Sequence, residues 1–112
     1  MIGLDLEHIS RIKNEEKLLE KIATFKEISY IQGFKSKKEK VATLWAVKEA
    51  TFKALDIKAG EISYKEIELC HHENGKPFLT LHGKAKEFLG ERKIEVSLSH
   101  TKDIVGAVVI IL

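Results

Sequence analysis

The sequence predicts an α+β fold, in which a mainly antiparallel sheet packs on one long central helix. Two observations carry this prediction. The longest helical pattern, from Ser36 to about Leu55, ends the first half of the chain, and the second half consists mostly of short apolar runs separated by turn residues. A chain of 112 residues allows one domain over residues 1–112, and its core is thin enough that association between copies would help.

The first half predicts one strand and then helices. Apolar residues at positions 2, 4 and 6 alternate with Gly, Asp and Glu, which indicates a short opening strand, and helical spacing follows over residues 9–22. Thr24 to Glu27 has the capping-box pattern, so we expect a new short helix that stops at Gly33. Ser36 to Glu39 repeats this pattern and opens the long helix.

The second half predicts mainly strands. Residues 62–72 and 77–82 flank an Asn-Gly pair, which is the strongest short signal for a β-hairpin. A short helix over residues 84–89 ends at Gly90. Strands over residues 94–98 and 104–112 then enclose the loop 99–103.

Composition excludes several classes of protein. Nineteen basic and seventeen acidic residues leave a net charge of +2, which is too mild to argue for nucleic acid. A single cysteine, Cys70, can form neither an internal disulfide nor a structural zinc site. No apolar run approaches the roughly 18 residues of a membrane span, and charges within the first twelve residues argue against a targeting peptide. We therefore expect a cytoplasmic protein.

The long helix carries the most informative charges. Ala46, Ala50 and Ala54 form a small-residue face opposite an apolar stripe, so another element can approach closely there. Lys48 falls inside the apolar stripe and Glu49 lies at its margin, where a charge is costly unless it is paired or binds something. In the alternative interpretation, Lys48 snorkels and Glu49 pairs with Lys53. The apolar stripe consists of Val41, Leu44, Trp45, Phe52 and Leu55.

A second carboxylate, that of Asp5, lies between two leucines on the predicted opening strand. In one interpretation, Asp5 has only a structural role, as a helix cap or as a residue at the end of the strand. Taken together, however, Asp5 and Glu49 could hold a divalent cation against a substrate that carries phosphate, because Mg²⁺ commonly uses one or two carboxylates plus substrate phosphates.

Two further features have both a structural and a functional interpretation. His100 follows two serines at the end of a strand, yet no nucleophile-elbow pattern accompanies it. The lysines between Lys35 and Lys40 are either a solvated helix start or a patch that binds phosphate or an acidic partner.

Four blocks of the chain, taken in order, resemble the holo-acyl-carrier-protein synthases, the small bacterial class of 4′-phosphopantetheinyl transferases. They span nearly the whole chain. The blocks are Ile2 to Leu6 with Arg11 and Ile12, Trp45 to Ala50 with Lys53 and Ala54, Asn74 to Pro77, and Ser97 to Lys102.

The resemblance implies transfer of phosphopantetheine from coenzyme A to a serine of an acyl carrier protein, in support of fatty acid biosynthesis. Asp5 and Glu49 would coordinate Mg²⁺ and, with Lys48, form the catalytic set; Lys48 and Lys53 would place positive charge near the pyrophosphate. Glu49, Asp5 or a metal-bound water could accept the serine proton. The rest of coenzyme A would meet two groups of residues. Asn74, Gly75, Lys76 and Pro77 would shape the adenine site, and His100, Thr101, Lys35 and Lys38 would face the 3′-phosphate.

The resemblance also implies partners. Acyl carrier proteins are acidic, so a basic N-terminal helix with Arg11 as its anchor would be the docking surface. Members of the family are homotrimers with active sites between subunits, which agrees with an alanine face that needs a neighbour. Two departures stand out: Leu44 occupies a position where many members carry an arginine, and the stretch from Ile22 to Ser36 is short.

Two rival hypotheses remain. One is a small basic interaction domain that binds an acidic protein or RNA without catalysis, for which Asp5 would have no role. The other retains the enzyme but changes the acceptor to a carrier domain of a secondary-metabolite synthase. The larger transferases that serve such domains usually fuse two units, and 112 residues argue against that.

Overall fold

The computed structural model describes all 112 residues and has the predicted α+β architecture. Five strands and four α-helices alternate with two 3₁₀ turns, at Ile9–Arg11 and Tyr64–Glu66. In chain order the elements are β1 (Ile2–His8), α1 (Glu15–Ile22), α2 (Phe25–Gln32), α3 (Lys37–Leu55), β2 (Ile67–His71), β3 (Pro77–Leu81), α4 (Gly83–Leu89), β4 (Ile94–His100) and β5 (Ile104–Ile111).

The strands form two antiparallel sheets. One has the order β1-β5-β4, in which Asp5 lies opposite Ala107, and the other is the β2–β3 hairpin. Helix α3 packs against β1 and β5 and is the central helix that the sequence predicts. No helix of the structure has both the length and the apolar character that crossing a membrane requires.

The alanine face of α3 is covered from within the chain. Ala46, Ala50 and Ala54 are buried, and β1 passes so close that a Cβ at Gly3 would collide with the backbone carbonyl of Ala50. The prediction of a close approach is confirmed. The expectation that this face needs a neighbouring subunit is wrong, because the absent side chain of Gly3 lets the backbone of β1 fill the space.

This contact also decides which way β1 faces. Because side chains alternate along a strand, Asp5 and Glu7 point to the same side as Gly3, toward α3. The opposite side carries Ile2, Leu4 and Leu6, which are 64%, 57% and 64% exposed. On β5 it continues with Val108 and Ile110. These five residues form an outer apolar face, which in a single chain meets solvent.

Three local predictions need correction. The segment 9–22 is not one helix, because Asn14 accepts a hydrogen bond from the backbone of Lys17 and starts α1 there. Ser36 precedes α3 without a side-chain cap, whereas the capping box at Thr24 is confirmed. The strand expected from residue 62 begins only at Ile67, after a 3₁₀ turn.

Candidate active site

Lys48 lies in the protein core and is fully buried. Its Nζ donates to Glu27 Oε1 at 2.8 Å and to the backbone carbonyls of Ile22, Tyr64 and Ile67 at 2.7–3.0 Å. The three N–H groups of Lys48 are thus shared among four acceptors. Burial lowers the pKa of Lys48, and the negative charge of Glu27 partly opposes this shift. Lys48 neither snorkels nor is free to bind a phosphate, so its catalytic assignment is corrected to a structural one.

Glu27 is the partner that sequence reasoning missed. Its Oε1 also accepts from the backbone of Thr24 at 2.9 Å, and its Oε2 accepts from the backbone of Leu69 at 2.7 Å. The buried pair with Lys48 therefore connects α2, α3 and β2. The capping box predicted the bond to Thr24, but no local pattern indicates an ion pair with a residue 21 positions away.

Asp5 lies beside α3 with only 12% of its side chain exposed. Its Oδ1 is 3.3 Å from Lys53 Nζ, which also donates to the carbonyl of Leu4 at 2.9 Å. Lys53 therefore pairs with Asp5, and the alternative pairing with Glu49 is wrong. The other oxygen of Asp5, Oδ2, is buried and has no hydrogen-bond partner in the structure.

Glu7 is a third carboxylate near this point. Burial is the largest effect that raises its pKa to about 7. The nearby carboxyl group of Asp5 and the negative charges of Asp5 and Glu49 raise the pKa of Glu7 further, against the opposing charge of Arg11. The sequence signal was its position two residues after Asp5, on the same side of the strand. Like charges crowd this site, and a bound cation would relieve them.

Glu49 faces the same cluster from α3. Tyr64 donates its hydroxyl to Glu49 Oε1 at 3.2 Å, and this is the only hydrogen bond of that carboxylate. Burial raises the pKa of Tyr64, and the charge of Glu49 together with this hydrogen bond raises it further. Nothing in the local sequence around Tyr64 indicated this contact.

The carboxylates fit a divalent cation. They do not converge into a complete cage of three or more ligands, but Mg²⁺ needs only one or two carboxylates when a substrate supplies phosphate oxygens. The buried, unpartnered Oδ2 of Asp5 and the free Oε2 of Glu49 are the oxygens available for such an ion.

A second group of predicted residues lies at the other end of α3. His100 Nε2 is 3.7 Å from Oε1 of Glu39 in the first turn of α3. Lys38 in the same turn and Lys35 just before the helix are exposed. Glu39 and Glu49 are ten residues apart, which corresponds to about 15 Å along a helix. Thr101 accepts from two backbone N–H groups and closes the turn between β4 and β5.

The hairpin turn between β2 and β3 stands apart from both groups. Asn74 Oδ1 accepts from the backbone of Lys76, and Gly75 has a φ of +89°, which suits glycine. Asn74, Gly75 and Lys76 are exposed and Pro77 is half-buried. No hydrogen bond or ion pair connects the turn to Asp5 or Glu49.

Helix α1 separates its charges onto two sides. Arg11, Lys13, Lys17 and Lys21 line one shallow groove of about 250 Å³, which we call the basic face. The other side carries Glu15, Glu16 and Glu20. The expectation of a basic helix is therefore corrected to one basic face. That face leads to the carboxylates, because Lys21 Nζ lies 5.9 Å from the centre of the Tyr64 ring.

Leu44, the departure from the family pattern, points into the protein. It is 3% exposed and lines a cavity of about 60 Å³ together with Lys40 and Leu98. An apolar side chain at this position contributes to packing and offers no charge to a ligand.

Fold and carboxylate cluster together define a class of transferase: the chain belongs to the 4′-phosphopantetheinyl transferase superfamily, whose family model matches residues 1–109. Among curated relatives, the holo-[acyl-carrier-protein] synthase of Thermoanaerobacter sp. (strain X514) is 38% identical over 108 residues, which cover 90% of this chain and 78% of that protein.

Solved structures of holo-[acyl-carrier-protein] synthases are similar to this chain over nearly its whole length. The Helicobacter pylori enzyme in complex with coenzyme A has a TM-score of 0.86 and 29% identity, with 100% of both chains covered. The Bacillus anthracis enzyme in complex with CoA (3′,5′-ADP) has a TM-score of 0.84 and 32% identity over 98% of this chain and 93% of the other.

Proposed function

We propose that this chain transfers the 4′-phosphopantetheinyl group of coenzyme A to a serine hydroxyl of an apo-acyl carrier protein. The observation that carries the proposal is the buried, unpartnered oxygen of Asp5 beside Glu49, in a chain 38% identical to a holo-[acyl-carrier-protein] synthase. We further propose that the reaction takes place in the cytoplasm and supports fatty acid biosynthesis.

The reaction forms a bond between the serine oxygen and the phosphorus that bears pantetheine. It breaks the bond between that phosphorus and the bridging oxygen, and adenosine 3′,5′-bisphosphate leaves. The serine proton passes to a carboxylate of the cluster. Asp5 and Glu49 would hold Mg²⁺, which when bound neutralises charge on the pyrophosphate oxygens. Lys53, half-exposed beside Asp5, adds positive charge.

The remaining coenzyme A contacts come from a neighbouring copy in this proposal. Pyrophosphate and 3′-phosphate are joined through one ribose and lie closer together than the roughly 15 Å of α3 between Glu49 and Glu39. This separation along α3 favours a site in which the Asp5 group of one chain and the His100 group of another meet the same nucleotide. We propose a homotrimer in which the outer apolar face is covered and in which His100, Thr101, Lys35, Lys38 and the turn Asn74–Pro77 complete the site of the next subunit. The molar mass in solution tests this.

The basic face is the proposed docking surface for the acidic carrier. Arg11→Ala should raise the KM for the carrier by about tenfold, since a charged contact at an interface contributes on the order of 1–2 kcal/mol. The KM for coenzyme A should stay unchanged. Lys86→Ala, which removes an exposed charge from α4, is the matched control. An Arg11→Ala variant with an unaltered carrier KM would exclude Arg11 from the interface.

Intact mass spectrometry of an apo-acyl carrier protein tests the function itself. After incubation with this chain and coenzyme A, the carrier should gain one phosphopantetheinyl group with Mg²⁺ and none with EDTA. A folded protein that modifies no carrier under either condition would favour the non-catalytic interaction domain. Transfer that persists in EDTA would retain the enzyme and remove the cation from the proposal.

A further inference from the structure

The ring and backbone of Tyr64 are held by several contacts. Phe52 packs edge-on against the ring, with ring centres 4.9 Å apart, and Trp45 packs at a tilt at 5.3 Å. The backbone carbonyl of Tyr64 accepts from Nζ of the fully buried Lys48 at 3.0 Å. The aromatic contacts hold the ring and the core ion pair holds the main chain, so the position of the hydroxyl is determined by groups that do not move independently.

That hydroxyl is the one group bonded to Glu49. A glutamate side chain has three rotatable bonds, and ordering it has an entropic cost when nothing holds the carboxylate. The bond from Tyr64 holds Oε1 and leaves Oε2 without a protein partner. One oxygen is therefore restrained while the other stays available for a ligand.

We propose that Tyr64 is a positioning residue for the divalent cation, acting through Glu49. The inference rests on the proposed function, because it presumes that Asp5 and Glu49 bind such an ion. Groups that orient a metal ligand commonly change metal affinity 10- to 100-fold when they are removed. Tyr64→Phe retains the ring and its packing and deletes only the hydroxyl, so its effect reports the bond to Glu49.

The test is Mn²⁺ binding to the full chain in the presence of coenzyme A, which supplies phosphate oxygens. The electron paramagnetic resonance signal of free Mn²⁺ measures the binding, and coenzyme A without the chain is the blank. Tyr64→Phe should raise the Kd for Mn²⁺ by about tenfold. Tyr30→Phe is the matched control, because the Tyr30 ring stacks on His71 and its hydroxyl makes no hydrogen bond. Its Kd should equal that of the wild type. Asp5→Asn identifies binding at the proposed site by abolishing it.

A second measurement uses the reaction. Tyr64→Phe should raise the Mg²⁺ concentration for half-maximal transfer by a similar factor, and saturating Mg²⁺ should restore kcat to near the wild-type value. A lower kcat at saturating Mg²⁺, with an unshifted Mg²⁺ requirement, would overturn a positioning role.

The outcomes separate this inference from the proposed function. If wild type binds Mn²⁺ and Tyr64→Phe binds it equally well, the inference on Tyr64 is wrong and the cation site stands. Equal losses in Tyr64→Phe and Tyr30→Phe would likewise overturn it, because the effect would not be specific to the bond with Glu49. If Asp5→Asn binds Mn²⁺ as tightly as the wild type does, the ion does not bind at Asp5. If the wild type does not bind Mn²⁺, there is no cation site. Either result removes the cation from the proposed function and overturns the inference on Tyr64.

Discussion

Asp5→Asn should reduce kcat/KM for phosphopantetheinyl transfer by about 10³-fold or more. Stabilisation of transition-state charge by a metal ion contributes several kcal/mol, and each 1.36 kcal/mol corresponds to a factor of ten in rate. The amide has nearly the shape of the carboxylate and can still accept from Lys53, but it carries no charge to hold a cation. The fold should persist, because the change removes one of the negative charges that, after burial, raise the pKa of Glu7.

Initial rates by intact mass spectrometry, with thermal unfolding followed by circular dichroism, check this expectation. Glu87→Gln is the matched control, since it removes an equal charge from an exposed position on α4. An Asp5→Asn variant with the wild-type melting temperature and activity within a few-fold of wild type would exclude Asp5 from the site.

Lys48→Met should destabilise the protein by about 3–5 kcal/mol, because it leaves the carboxylate of Glu27 buried without its charged partner. For a chain of this length, that corresponds to a fall in Tm of roughly 15 °C. Three backbone carbonyls lose a donor at the same time. Activity per folded molecule should change far less than in Asp5→Asn, since Lys48 reaches the carboxylate cluster only indirectly, through the backbone of Tyr64.

Urea unfolding measures the loss, and Lys53→Met, which changes a side chain that is 56% exposed, is the control for stability. The double variant Glu27→Gln/Lys48→Met should lose less unfolding free energy than the two single variants lose together, because it leaves no unpaired charge. Unchanged stability in Lys48→Met together with lost transfer would return Lys48 to the catalytic set.

Lys48 and Glu49 show how far sequence reasoning reached into the site. A helical wheel placed Lys48 within the apolar stripe and Glu49 at its margin, and it marked both as unusual charges. The wheel gives the angle of a side chain around the helix, but it does not reveal what covers each side. In the structure, Lys48 donates hydrogen bonds to Glu27 and to three backbone carbonyls, whereas Glu49 accepts a hydrogen bond from Tyr64.

Two of the residues that were missed share one property: they reach the site from a distant part of the chain. Glu27 meets Lys48 across 21 positions, and Tyr64 meets Glu49 across 15. Such contacts arise from packing between elements, and local spacing carries no record of them. Glu7 was different, because its period-two relation to Asp5 already placed both carboxylates on one side of β1.

By itself the sequence determined the α+β class, most of the helices and strands, the resemblance to the family and the charges worth testing, because periodicity, capping patterns and motifs are local properties. Only the tertiary structure decided which side of β1 is inside. A strand with alternating polar and apolar residues has two faces. From the sequence alone, the face that carries the apolar residues 2, 4 and 6 would be expected to pack against α3. The close approach of Gly3 to Ala50 reverses this and turns Asp5 toward α3. Leu4 and Leu6 then point away from α3. The backbone of β1 can approach α3 closely only because Gly3, which faces the helix, has no Cβ.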